Sequence, residues 1–220
     1  MELIPKLTSG KILDIGSGKG GFLIDAAKAG LDAYGIEVCK EYIDISNKKA
    51  EEQHVTLNIV KGVGESLPFE DEVFDLINLS EVIEHVESPD MLLSEISRVL
   101  KIGGYVYISV PSRFSWYDTH YHLLFLNWMP RSWSHKLIGL LGKHKEYSKD
   151  NGKQRIDEMF YSTFNSFRKK VLVHGMKAAD IRVIKINKKC TNPVVRFLAI
   201  TLYKILRPFY FKTFHFLLTK

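Results

Sequence analysis

KILDIGSGKGG, from Lys11 to Gly21, is the stretch on which the reading of the whole chain turns. Ile12 to Ile15 is an apolar strand, and the glycine run after it opens a helix at about Phe22, so that a ligand can approach bare backbone. Gly16, Gly18 and Gly21 satisfy G-x-G-x-x-G, and Glu37 follows at about the distance at which an acid meets a ribose. The pattern suits NAD or S-adenosylmethionine (SAM), and it also suits a plain strand-to-helix turn. The segments downstream decide between them.

Working outward, strands and helices alternate. The spacing predicts a helix over Gly21 to Ala29, a strand over Asp32 to Ile36, and a helix over Glu41 to Gln53 with Tyr42, Ile43 and Ile45 turned inward. A strand over Leu57 to Val60 is followed by the loop KGVGESLPF, then a strand over Val73 to Leu79, a helix over Met91 to Leu100 and a strand over Tyr105 to Val110. Such alternation implies right-handed crossovers and a Rossmann-like α/β fold. The sheet is expected to be seven-stranded and mostly parallel, with helices on both faces and ligands at the carboxyl ends of its strands.

From Ser112 the chain turns aromatic and basic, beginning RFSWYDTHYHLLFLNWMP, which reads as a lid inserted after strand five. Beyond it come a polar loop over Gly142 to Gln154, a helix near Tyr161 to His174 and a strand over Ile181 to Ile186. An apolar helix over Pro193 to Leu206 and a last strand in FHFLLTK close the chain. The expectation is one domain over 1–220: a cofactor half to residue 111, a lid and substrate insertion over 112–160, and closing helices and strands over 161–220.

The 220 residues, 45% of them apolar, are enough for one sizeable core. Cys39 and Cys190 lie far apart without ligand spacing, which disfavours a zinc site or a disulfide framework. The first strand begins within about ten residues of Met1, so no signal peptide is expected and the chain reads as cytoplasmic. Net charge is +6, but residues 1–110 hold 10 Lys and Arg against 19 Asp and Glu, whereas residues 111–220 hold 21 against 6. The basic half is either a set of solvated helix faces or a surface for phosphate, anionic lipid or nucleic acid.

Four segments together carry a family resemblance: ILDIGSGKGGF, the acid in YGIE, ESLPFEDEVFDLINLSEVIEHV, and RVLKIGGYVYISVP. They resemble the class I SAM-dependent methyltransferases, of the type 11 kind that includes ubiquinone-pathway and small-molecule enzymes, over about residues 10–111. The resemblance implies SAM as cofactor. Gly16, Gly18 and Gly20 would close on its methionine part. Asp14 would meet the ammonium or only order the loop, Glu37 would take the ribose hydroxyls, and Ser80 would lie by the aminoacyl end. Relatives commonly carry an acid where this chain has Val63, and Glu65 is the candidate substitute.

Glu81, Glu84 and His85 fall at i, i+3 and i+4, which on a helix puts them on one face. In the ubiquinone O-methyltransferases that EVIEHV resembles, the corresponding trio is implicated in holding a divalent cation. Here the packing reading is preferred and no metal is expected. Methyl transfer needs a base only where the acceptor keeps its proton, and the candidates are His85, His120 and His122. An extended lid would point Asp118, His120 and His122 one way. The expected acceptor is a small molecule or a lipid-linked glycan or quinone precursor. Flanking cations on PVVRFLAITLYKILRP suit peripheral docking at the inner face of an anionic membrane, although core packing explains the same pattern. A nucleic-acid methyltransferase is disfavoured for want of an arginine-rich strip. A non-catalytic binding protein remains the other alternative.

Overall fold

The computed structural model of the protein describes residues 9–143, 156 and 158–220. In chain order its elements are β1 (Lys11–Ile15), α1 (Gly21–Lys28), β2 (Asp32–Glu37), α2 (Lys40–Glu52), β3 (Asn58–Lys61) and β4 (Phe74–Leu79). Next come α3 (Pro89–Val99), β5 (Leu100–Pro111), β6 (Tyr117–Asp118), β7 (Leu123–Leu124), a 3-10 turn (Leu126–Trp128) and α4 (Arg131–Leu140). The last are α5 (Phe164–Val173), β8 (Lys177–Asp180), α6 (Ile181–Lys189), α7 (Pro193–Tyr210) and β9 (Thr213–Thr219).

β1 is an interior strand of the sheet, with apolar side chains on both faces, as a strand covered on both sides requires. Ile12 packs with Leu23 and Ala26 of α1 on one side, whereas Leu13 and Ile15 join the larger cluster on the other, with α3 and α5. The seven-stranded sheet has the order β3-β2-β1-β4-β5-β9-β8, and only the two pairings of β9 are antiparallel. The expected sheet is therefore present, with helices on both faces. Since β1, β2, β4 and β5 run the same way, Ile15, Glu37, Leu79 and Pro111 all end at one edge.

Local chemistry explains where elements begin. The Ser88 side chain accepts from the Met91 N–H and Pro89 sits at the first helical position, so α3 starts there. Leu92, Leu93, Ile96 and Val99 then fall on its buried face, each contributing on the order of 1.5–3 kcal/mol.

Two expectations are corrected. The segment expected as a strand over Ile181 to Ile186 is helix α6, and the strand lies just before it, as β8. The Asp180 carboxylate accepts from the N–H groups of Arg182 (3.0 Å) and Val183 (3.4 Å), which caps a helix at the point where β-branched residues suggested extended chain. Ile45 faces outward, because α2 turns Ser46 and Ala50 inward instead.

After β5 the chain forms the β6–β7 hairpin, the 3-10 turn and α4. These have a small core of their own, made of Tyr121, Leu126, Ile138, Ile156 and Met159. The insertion expected over 112–160 falls partly outside the described residues, as does the loop expected over Gly142 to Gln154 from residue 144 on.

Candidate active site

The glycine loop leaves β1 and turns back under β2: the N–H groups of Gly16 and Ser17 both donate to the Ile36 carbonyl, at 2.8 and 3.1 Å. Gly20 has φ +74°, and a Cβ there would lie 2.8 Å from the Ser46 Cβ. Only glycine fits, both for its backbone and for its neighbour. Ser46 closes the other side of the loop by donating from Oγ to the Gly18 carbonyl at 3.0 Å.

Glu37 is buried at the end of β2 and binds this loop directly. The Gly18 N–H donates to its Oε2 (2.8 Å) and the Cys39 N–H to its Oε1 (2.9 Å). A carboxylate has about four acceptor sites, so both oxygens can accept again from a ligand while the backbone fixes their direction.

Asp14 and Ser80 are joined through Asn78. Asn78 Nδ2 donates to Asp14 Oδ1 at 2.6 Å, and Ser80 Oγ donates to Asn78 Oδ1 at 3.2 Å. Burial pushes the Asp14 carboxyl up to about 7. The Asn78 bond opposes this and the nearby Glu37 charge adds to it. A buried carboxylate in that state is stabilised by an arriving cation. The Ser17 hydroxyl in the same loop is buried and has no hydrogen-bond partner among the described residues. An ammonium-bearing nucleoside such as SAM fits both features, as well as the acceptor on Glu37.

Glu65 lies elsewhere in this wall. Its Oε1 accepts from the N–H groups of Glu87 (2.9 Å) and Ser88 (3.5 Å), which ties the loop after β3 to the start of α3. Val63 beside it is about half exposed.

The acidic trio is not on a helix. Residues 80–88 form turns, and Glu81 has φ +57°. Glu81 is directed to Ser109 of β5, donating from its N–H to Ser109 Oγ (2.8 Å) and accepting from that hydroxyl at 3.1 Å. His120, from the hairpin after β5, takes the third place. Glu84 Oε1 lies 3.7 Å from His120 Nε2 and 3.9 Å from His85 Nε2, and the two imidazoles meet edge to face. Glu84 is fully buried, and neither of its oxygens has a hydrogen-bond partner among the described residues. Glu84, His85 and His120 present ligand atoms within 4.8 Å of one another and could hold a metal ion. Val82, two residues before Glu84, packs against Gly16, which sets this cluster beside the glycine loop.

Hydrogen bonds fix His120. Tyr161 Oη is 2.8 Å from both His120 Nδ1 and Asp118 Oδ2. Burial and the adjoining Asp118 charge push the Tyr161 hydroxyl far above its ordinary range, so it keeps its proton and donates it to Asp118. Its oxygen is then free to accept from His120 Nδ1–H. A neutral His120 accordingly carries its lone pair on Nε2, toward Glu84. Asp118 is also held by the N–H groups of His120 and Tyr121 and by the Asn127 amide.

His122 does not join them. It sits in the turn between β6 and β7 with φ +55°, and its Nδ1 pairs with the Tyr117 hydroxyl (2.9 Å) on the exposed side of the hairpin. A tight turn separates residues that an extended lid would have aligned.

Residues 13–108 match a family model described as a methyltransferase domain. Over those residues the chain is similar to methyltransferase domains. An uncharacterised protein of Methanocaldococcus jannaschii is 35% identical over 118 residues, 54% of this chain and 51% of that protein. The ubiquinone biosynthesis O-methyltransferase of Actinobacillus pleuropneumoniae is 35% identical over 109 residues, 47% of this chain and 46% of that enzyme. The chain thus spans about half the length of the curated relatives it matches. An S-adenosylmethionine-dependent methyltransferase structure from Mesorhizobium loti covers 100% of this chain and 94% of its own at a TM-score of 0.64, with 14% identity, a likeness of fold.

The matched methyltransferase domain ends within β5, so Asp118, His120 and Tyr161 lie beyond it. Asn78, Ser17 and Ser46 were missed by sequence reasoning. Asn78 had a usable signal, since an amide in the apolar run of a central strand needs a buried partner.

Proposed function

We propose that this methyltransferase domain binds SAM at its glycine loop and transfers the methyl group to a small-molecule or lipid-linked acceptor, such as a glycan or quinone precursor. Peripheral placement of a cytoplasmic protein at the inner face of the membrane belongs to the same reading. The observation that carries it is the junction of the buried acceptors Asp14 and Glu37 with the Glu84, His85 and His120 cluster, at one edge of the sheet.

When bound, SAM supplies an electrophilic methyl group on a sulfonium. Glu37 would hold the ribose hydroxyls and Asp14 the ammonium, with Ser80 and the backbone of Gly16, Gly18 and Gly20 along the aminoacyl end. Glu65 is the side chain on the adenine side. His120 Nε2 would take the acceptor's proton as the acceptor's lone pair bonds to the methyl carbon and the carbon–sulfur bond breaks to leave a neutral thioether, and Glu84 would hold the resulting imidazolium. His85 would orient the pair, with His122 at the outer rim. The aromatic segment after β5 would limit water at the site, which favours in-line displacement.

A second reading is favoured by the two unpartnered oxygens of Glu84. With His85 and His120 they form a carboxylate and imidazole set suited to a divalent cation, which would lower the pKa of an acceptor hydroxyl. The test is turnover of candidate acceptors by wild type and His120→Ala. The proposal expects a loss of 10²-fold or more in kcat, and unchanged turnover would remove His120 from the chemistry.

A further inference from the structure

α7 is attached to the domain by its polar side. Tyr203 Oη donates to the Asp180 carboxylate (2.9 Å to Oδ2), Arg207 pairs with the same oxygen at 3.1 Å, and the Arg207 guanidinium lies 3.3 Å from the centre of the Phe164 ring. Tyr203 is the one residue of α7 that is buried. The opposite side carries Val195, Leu198, Leu202, Ile205 and Phe209, spaced three and four apart, and each is between 52 and 65% exposed. A helix packed on a core turns such a stripe inward. Here it faces out.

The stripe runs into the active-site edge. The Trp128 and Phe209 rings are 5.7 Å apart, and the Trp116 N–H donates to the Phe209 carbonyl. The N–H of Ser112, the first residue after β5, donates to the Lys212 carbonyl at 2.8 Å. Trp116 and Trp128 are themselves part-exposed, so an aromatic rim continues the apolar stripe to the strand ends.

Charge selects the partner. Residues 181–220 contain nine Lys and Arg and no Asp or Glu. Lys185 and Lys189 of α6, the helix that adjoins α7, Lys204 of α7 and Lys212 are exposed. Two copies pairing through α7 would bring like charges together, whereas an anionic bilayer neutralises them. Tryptophan at the rim suits the headgroup level. No helix among the described residues is long and apolar enough to cross a membrane.

We propose that the outward stripe of α7 and the Trp116 and Trp128 rim form a docking surface for anionic lipid, on which the protein lies with its active-site edge toward the bilayer. This gives the peripheral placement proposed above its surface, and it rests on the SAM-binding reading only for which edge of the protein faces the bilayer. Vesicle binding is read without turnover and calorimetry without lipid, so failure of one leaves the other standing.

The experiment is flotation of the full chain with phosphatidylcholine vesicles and with vesicles containing phosphatidylglycerol, at low and high salt. Leu202→Asp, Ile205→Asp and the pair Lys185→Gln with Lys189→Gln serve as variants. S-adenosylhomocysteine titration and light scattering are run on each. The proposal expects binding to anionic vesicles alone, reduced by salt and about fivefold weaker for each cation removed. It also expects loss in the Asp variants with cofactor binding intact. Equal binding to both vesicles, or none, overturns it. So does a dimer that the Asp variants dissociate, which would make the stripe a self-association seam.

Discussion

The Asn78 amide donates to the buried Asp14 carboxyl at 2.6 Å, and this single bond does not offset the cost of Asp14's burial. Between its ordinary 3.8 and about 7, Asp14 binds more protons folded than unfolded. Stability of the ligand-free protein therefore falls as pH rises through that window, by up to ~4 kcal/mol. Asp14→Asn keeps the Asn78 contact and is expected to flatten this dependence and stabilise the ligand-free protein at pH 8. It should weaken S-adenosylhomocysteine binding at least tenfold. Urea unfolding at pH 5, 6.5 and 8 with calorimetry checks both.

Gly20 and Ser46 form a second tight approach. Gly20→Ala is expected to destabilise the fold by about 1–3 kcal/mol through its left-handed backbone and the contact with Ser46. Ser46→Gly in the Gly20→Ala background should restore part of that, leaving the backbone share. Thermal unfolding of wild type, the two single variants and the double variant in a double-mutant cycle measures it.

Tyr161 Oη is 2.8 Å from His120 Nδ1 and, on the proposed reading, acts through it. Tyr161→Phe removes the acceptor for His120 Nδ1–H and leaves the ring in place, so kcat should fall roughly 10-fold or more with KM little changed and the pH–rate profile displaced. His122→Ala is expected to leave turnover within about twofold, because His122 pairs with Tyr117 on the outer side. Steady-state kinetics across pH on wild type and the two variants distinguishes a positioning role from a packing one.

Chelation separates the two readings of Glu84. With His120 as base, dialysis against EDTA is expected to leave turnover unchanged. Loss of turnover that Mg²⁺ or Mn²⁺ restores in wild type, but not in Glu84→Gln, would assign the cluster to a cation.

Much of the fold was legible because it rests on short-range rules. The apolar run of β1, the glycines that its turn demands and the strand-helix alternation are local, and they led to the sheet and to Glu37 at its edge. The cluster of Glu84 with His120 was not legible, because the chain runs through α3 and β5 before it brings the two together and no spacing records that. The i, i+3, i+4 pattern of Glu81, Glu84 and His85 misled for a tertiary reason: Ser109 holds Glu81, and the segment turns instead of coiling. Ile181, Val183, Ile184 and Ile186 looked like a strand until Asp180 capped them as a helix. The stripe on α7 could be read, but whether it faced core or solvent depended on which side Asp180 gripped.

The claim on which everything else depends is that Glu37 and the glycine loop hold SAM. Calorimetric titration of wild type and Glu37→Ala with S-adenosylhomocysteine, with NADH in parallel, tests it directly. Micromolar binding of the homocysteine compound, weakened at least tenfold in Glu37→Ala and absent for NADH, is the expected result. Binding of NADH in its place, or binding of the homocysteine compound that Glu37→Ala leaves unchanged, would contradict the account.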